Sequence, residues 1–269
     1  MGALSTATGV PLLAPGAAQA RAHAHLAGKA AAVHALKHMM ADFRQLLTNV
    51  NYLKLLFGFS VGVGLFNALL TILSQVLRPC GYGDDVASIG GGVLLGCGLA
   101  SAVALGLLLE KTRAYVPLLK VGITLAVGAC AFFLASLHPG NNAQIIASLA
   151  LLGICLLPLL PLSLENAAEC TYPIPEDNSA ALMLFLGQMW GIMFIFVFNH
   201  LLENWPVSMH CTSIVTPFAG MMLFSLAAAS AVMLLFGKDY RRQSAETSKS
   251  ANIQHDAMGA ALGTHVVLA

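Results

Sequence analysis

Six apolar runs, each near 20 residues long, constrain this chain more than any other feature. They fall at about 53–77, 86–109, 116–137, 143–166, 179–202 and 212–236. A helix of about 20 residues crosses the roughly 30 Å hydrocarbon layer of a bilayer. Lipid offers no partner for exposed backbone groups, so runs of this length fold as helices rather than open strands. With 58% hydrophobic and 9% charged residues, the chain lies far from the roughly quarter-charged composition of soluble domains. The expectation is an all-α membrane protein, a six-helix transmembrane domain over 51–237. Before it lies a cytosolic Ala/His-rich arm with an amphipathic lead-in (1–50), and after it a disordered cytosolic tail (238–269).

Charge placement orients the bundle. Of 13 Lys and Arg, all but Arg78 fall on the side of the N-terminus when the six spans alternate, which predicts both termini in the cytosol. Lys54 and Lys120 sit just inside span ends, where their stems can carry the ammonium groups to the interface. The net charge of +1 leaves no basic stripe for nucleic acid. Six Cys without a C-x-x-C pair argue against a zinc site, and Cys97, Cys130 and Cys155 read as small hydrophobes inside spans. Cys80 and Cys211 fall at span ends on one side, where a disulfide is open to them.

The arm carries His23, His25, His34 and His38, with His34 and His38 on one helix face; a solvated amphipathic arm is the reading preferred over a metal tract. MGALST fits N-myristoylation at Gly2, a short and common pattern. Phe43, Leu46, Leu47, Val50 and Leu53 space a helix lying against the membrane from Ala41 to Leu56. Three G-x-x-x-G pairs, Gly58–Gly62, Gly92–Gly96 and Gly187–Gly191, mark candidate helix contacts.

Polar groups inside spans need an explanation. Gln188 lies about nine residues, or roughly 13 Å, into its span, and Asn67 about 15 Å from an end of the first. Both therefore reach the level at which transporters bind substrate; an interhelical hydrogen bond is the competing role. Phe66 and Trp190 offer ring faces to an organic cation or simply pack. Glu165 and Glu169, four apart on one face, stand near the cytosolic end before Pro173 and Pro175, and a helix opens behind Asp177, Asn178 and Ser179. As like charges they need a cation such as Lys111 or Arg113, or a shared proton; a gate and a solvated helix end are the two readings. Gln75, Trp205, His200 and His210 lie near the outer face, where interface residents are ordinary. No Asp, Glu, Lys or Arg lies in the middle third of a span, which favours facilitated movement over proton coupling. GYGDD at 81–85 is a loop, no nucleophile, base or metal constellation appears, and neither enzyme activity nor a cofactor is expected.

The run LENAAECTYPIPEDNSAALMLFLGQMWGI, with NYLKLLFGFSVGVGLFNALLTILSQ, GLLLEKTRAY and GKDYRRQ, resembles the C-terminal half of the feline leukaemia virus subgroup C receptor family. These are major facilitator transporters linked with haem and with choline or ethanolamine. The likeness runs from about Leu46 to Gln243. It implies an alternating-access mechanism, with Gln188 as a substrate-contacting glutamine and Gln75 as a glutamine late in the family's seventh helix. Glu110, followed by Lys111 and Arg113, stands as the acidic position of the superfamily's loop motif. Asn67 departs from the family, which commonly has a tyrosine there to enclose an ammonium head. The likeness covers only one of two six-helix halves, so the expected partners are a small solute, the bilayer, and a missing N-terminal half or a second chain, a gene fragment being the favoured reading. The alternatives are a carrier for a different small solute, or a non-transporting receptor or assembly subunit. Haem gains no support from this half, because His138, His200 and His210 all fall at the outer edge.

Overall fold

The computed structural model describes residue 34 and residues 36–112, 115–204 and 217–237. The side chain of Glu110, and Gly2, His23, His25, Arg113, Trp205, His210, Cys211 and the tail beyond Gly237, lie outside the described residues. Two compact units divide between Arg44 and Gln45. In the first, residues 36–44 are helical, and the His34 and His38 rings stand 4.5 Å apart, as a four-residue helical spacing requires.

The second unit is built of helices α1 (Val50–Leu77), α2 (Asp84–Thr112), α3 (Tyr115–Ala135), α4 (Asn142–Leu156), α5 (Leu159–Thr171), α6 (Glu176–Glu203) and α7 (Pro217–Leu234). No strand occurs among the described residues. With α4 and α5 taken as one interrupted span, six helices among the described residues are long and apolar enough to cross a membrane. The chain is an integral, multi-pass, all-α membrane protein.

The expected continuous helix over 41–56 is divided. Residues 47–49 are not helical. Thr48 Oγ1 donates to the Gln45 carbonyl, and Asn49 caps α1 by accepting from the Asn51 and Tyr52 amides. An asparagine side chain that satisfies two amides at once gives α1 a fresh start there.

α1 is the centre of the bundle. It packs along α6 most extensively and also against α7, α5 and α2, while α2 packs chiefly on α4, and α3 on α4 and α7. Within the most apolar window of each span, 67% of α1 is buried against 17% of α2, so α1 is a core helix and most of α2 is exposed. One apolar core joins α1 to α2, α3, α4, α6 and α7, with Leu69, Ile72, Phe133, Leu149 and Phe198 among its members.

Close helix approach follows particular glycines rather than the G-x-x-x-G pattern as such. A Cβ at Gly64 would stand 2.8 Å from the Gly191 nitrogen, and one at Gly191 would stand 3.6 Å from the Gly64 Cα. The α1–α6 crossing therefore needs a bare backbone here. Gly92 and Gly96 instead face open space. The α2–α4 crossing rests on Gly98, whose added Cβ would stand 2.9 Å from the Gly153 carbonyl oxygen, and on Gly153 against the Leu94 backbone. The G-x-x-x-G spacing is present on α2, but on a face that does not meet α4.

The fourth span, expected as one helix over 143–166, is broken at Leu157 and Pro158. Pro158 has no N–H to give the Ile154 carbonyl. Ser101 Oγ of α2 reaches that carbonyl at 3.1 Å, sharing its proton with the Gly98 carbonyl of its own helix at 2.8 Å. α6 begins at Glu176, up to a turn earlier than the cap expected at Asp177–Ser179 implies, and no side chain caps it. Glu176 and Asp177 occupy its first turn, where carboxylates favour the helix dipole.

Candidate functional site

The amides at Asn67 and Gln188 converge. α1 and α6 cross at Gly64 and Gly191, and one turn along each helix Asn67 Nδ2 donates to Gln188 Oε1 at 3.3 Å. The pair lies on an exposed face, in an open groove of about 380 Å³ lined by Leu70, Thr71, Gly191, Ile192 and Ile195. The bond uses one donor and one acceptor. Asn67 Oδ1 remains to accept and Gln188 Nε2 to donate, which suits a solute carrying a hydroxyl or an N–H. Thr71 Oγ1 donates to the Asn67 carbonyl at 2.8 Å and so offers oxygen lone pairs to the same groove.

Phe66 and Trp190 do not line this groove. Phe66 lines an apolar, partly open pocket of about 60 Å³ between α1, α3, α5 and α7, with Leu156 at the end of α4. Trp190 stacks on Phe194 at 5.6 Å and meets Phe57 edge-on at 6.0 Å. The stack continues from Phe194 to Phe198 and on to Phe218 of α7. Positions 188 and 190 are about 200° apart around a helix, so a tryptophan two residues from Gln188 faces the other way. Gln75 is exposed and lines neither this groove nor the one beside it.

At the other end of α1, the last turn of α5 and the first turn of α6 are held through their backbone carbonyls. Asn49 Nδ2 donates to the Cys170 carbonyl at 3.1 Å, and the buried Tyr52 hydroxyl donates to the Ser179 carbonyl at 2.7 Å. Glu169 is buried, whereas Glu165, one turn earlier, is exposed, so the two carboxylates share a face but not an environment. Lys54 Nζ donates to the Leu235 carbonyl at the end of α7, at 3.2 Å.

At the end carrying Arg78, a 3₁₀ turn over Arg78–Cys80 closes at Gly81 with φ of 81°, a left-handed conformation that favours glycine. The turn aims Arg78 back at α2: Nε reaches Asp84 Oδ1 at 3.0 Å and Nη2 reaches Oδ2 at 2.8 Å. Tyr82 donates through its hydroxyl to the His138 carbonyl. Cys80 is disulfide-bonded, while Cys97, Cys130 and Cys155 are free thiols; the expected partner Cys211 is outside the described residues. No group of three or more His, Cys, Asp or Glu able to hold a metal occurs among the described residues.

Sequence comparison adds relatives to this geometry. No protein-family model matches the chain. It is 31% identical to solute carrier family 49 member A3 of Xenopus tropicalis over 170 residues, 63% of this chain and 35% of that protein. Identity is 25% to a choline/ethanolamine transporter, flvcr2a, of Danio rerio over 79% of this chain and 44% of that protein. It is 27% to the choline/ethanolamine transporter FLVCR1 of Felis catus, over 57% of this chain and 28% of that protein. These transporters are its homologues. The chain spans less than half the length of the relatives it matches.

Sequence reasoning singles out both amides but passes over Thr71 and Ser74. Their signal is nonetheless there: Asn67, Thr71, Ser74 and Arg78 recur every three or four residues, the spacing of one helix face.

Proposed function

We propose that this chain is one six-helix half of an alternating-access carrier for a small organic solute of the choline or ethanolamine type. The solute binds at the Asn67–Gln188 pair, and a second six-helix bundle, from another polypeptide segment or a second chain, completes the pocket. The observation that carries this reading is the hydrogen-bonded amide pair, held mid-span on an exposed face of the bundle. An interhelical hydrogen bond meant only for packing would gain from being buried between α1 and α6, whereas this one opens onto a groove that a facing bundle can enclose. Homology to transporters supports the mechanism. A haem-type cargo is less well served, since His138 and His200 lie at the Arg78 end rather than in the groove.

The positive-inside bias supports cytosolic termini and an outward Arg78 end. Glu165, exposed at the opposite end, is then available to contact the facing half as the carrier opens and closes, while the buried Glu169 stays within this one. The test is uptake of radiolabelled choline and of radiolabelled ethanolamine by cells expressing the chain. Saturable uptake, lost in Gln188→Ala, is expected. Uptake untouched by that substitution overturns the site, and no uptake by correctly inserted protein overturns transport by this polypeptide on its own.

A further inference from the structure

The amide groove does not end at Asn67. Leu70 lines both that groove and a neighbouring one of about 520 Å³ between α1 and α2, whose walls include Ser74, Arg78, Asp84 and Ser88. Along α1, Asn67, Thr71, Ser74 and Arg78 stay within about 60° of one face at about 100° per residue. A polar track therefore leads from the end of the bundle to the mid-span amides, flanked by leucines.

The chemistry of the track has a direction. Ser88 Oγ donates to the Asp84 carbonyl at 2.9 Å, as Thr71 Oγ1 does to Asn67. Both hydroxyl protons are thus taken by their own helices, and the oxygens are left as acceptors. At the mouth Arg78 pairs with Asp84; Asp85, the next residue of α2, is exposed and does not line the groove, so it adds its negative charge from beside the mouth. Arg78 and Asp84 are 66% and 61% exposed, and an ion pair so open to solvent exchanges partners at little cost.

We propose that this track is an outer binding step for a small organic cation bearing N–H or O–H donors. Asp84 releases Arg78 to receive the cation, and the Ser74, Thr71 and Ser88 oxygens accept its donors on the way to Asn67 and Gln188. The proposal rests on the transport reading for its purpose but not for its measurement.

Single cysteines at Ser74 and at Thr71 test it, in the full chain with Cys97, Cys130, Cys155 and Cys170 replaced by alanine and the Cys80 disulfide retained. Intact cells are treated with a membrane-impermeant cationic or anionic methanethiosulfonate, and each rate is normalised to that of the same reagent with a free thiol. Modification at both positions is expected, with the cationic reagent favoured by roughly tenfold, the lower end of electrostatic focusing in clefts. Asp84→Asn should abolish the preference and Arg78→Gln should increase it. Cysteine at Phe224, 75% exposed on the apolar α7, serves as the lipid-facing control and should stay unmodified. Equal normalised rates for the two reagents, or no modification at either position, overturns the proposal. Failed uptake together with cation-selective modification would overturn transport by this polypeptide on its own and leave the track standing.

Discussion

Ser101 Oγ donates to the Ile154 carbonyl across the α2–α4 contact, and that carbonyl is the one Pro158 leaves without its helical donor. A substitution at Ser101 should therefore destabilise the bundle through Pro158. Ser101→Ala is expected to cost about 1 kcal/mol, read as a lowered midpoint of thermal unfolding in detergent. In a Pro158→Ala background the backbone can supply its own donor, and the cost should fall well below that. Equal costs in the two backgrounds would show that Ser101 acts independently of the break.

Ser163 is predicted to behave in the opposite sense. Its Oγ is buried with no hydrogen-bond partner among the described residues, against the apolar pocket that Phe66 also lines. Ser163→Ala removes an unsatisfied polar atom and should stabilise by about 1 kcal/mol. The same thermal unfolding measurement distinguishes the two serines: the midpoint drops for one and rises for the other.

Glycines two residues apart on α1 should also part company. A Cβ at Gly64 would stand 2.6 Å from the Trp190 Cβ and 2.9 Å from its carbonyl carbon, while one at Gly62 meets nothing within 4 Å. Gly64→Ala forces the α1–α6 backbones apart and should cost about 1–3 kcal/mol. Gly62→Ala should be neutral or slightly stabilising, as expected where a helix gains a better former without a clash. A Gly62→Ala variant as unstable as Gly64→Ala would contradict the packing described for this crossing.

These substitutions also mark how far the sequence can be read. The apolar runs announce the spans, because a bilayer sets a length and backbone hydrogen bonding leaves only the helix. The break at Pro158 is invisible to that reasoning: ICLLPLLPL is as apolar as an unbroken helix, and whether a proline kinks or interrupts a span depends on a neighbour such as Ser101. Gly92 and Gly96 show the same limit, since spacing places them on one face but cannot say which face meets α4. Asn67 and Gln188 are legible as costly amides at matching depth. Their pairing follows from Gly64 and Gly191, whose close approach is a tertiary fact. Trp190 shows that proximity in sequence is not proximity in the site, as its ring points about 200° away from Gln188.

Tyr52→Phe tests the clamp at the other end of α1. The lost bond to the Ser179 carbonyl is buried and 2.7 Å long, so removing the hydroxyl should cost about 1 kcal/mol, the carbonyl keeping its place in the α6 ladder. Amide hydrogen exchange should rise in the first turns of α6 with little change at the Asn67–Gln188 crossing. Uniform exchange across the whole bundle would instead mean that Tyr52 supports global stability rather than this local tie.

The Asn67 and Gln188 amides should act as one unit. If Asn67 orients Gln188 through the 3.3 Å bond, the two act on a solute as one unit, and their effects should not multiply. Asn67→Ala and Gln188→Ala are each expected to weaken binding of radiolabelled choline to the purified chain about tenfold, near 1.4 kcal/mol. The double variant should also be weakened about tenfold, because removing either partner already releases the other. Stability should change by only about 0.6 kcal/mol in any of the three, the average for hydrogen bonds between membrane helices. A hundredfold loss in the double variant would mean that each amide contacts the solute separately. The 3.3 Å bond would then play no part in how the pair holds the solute.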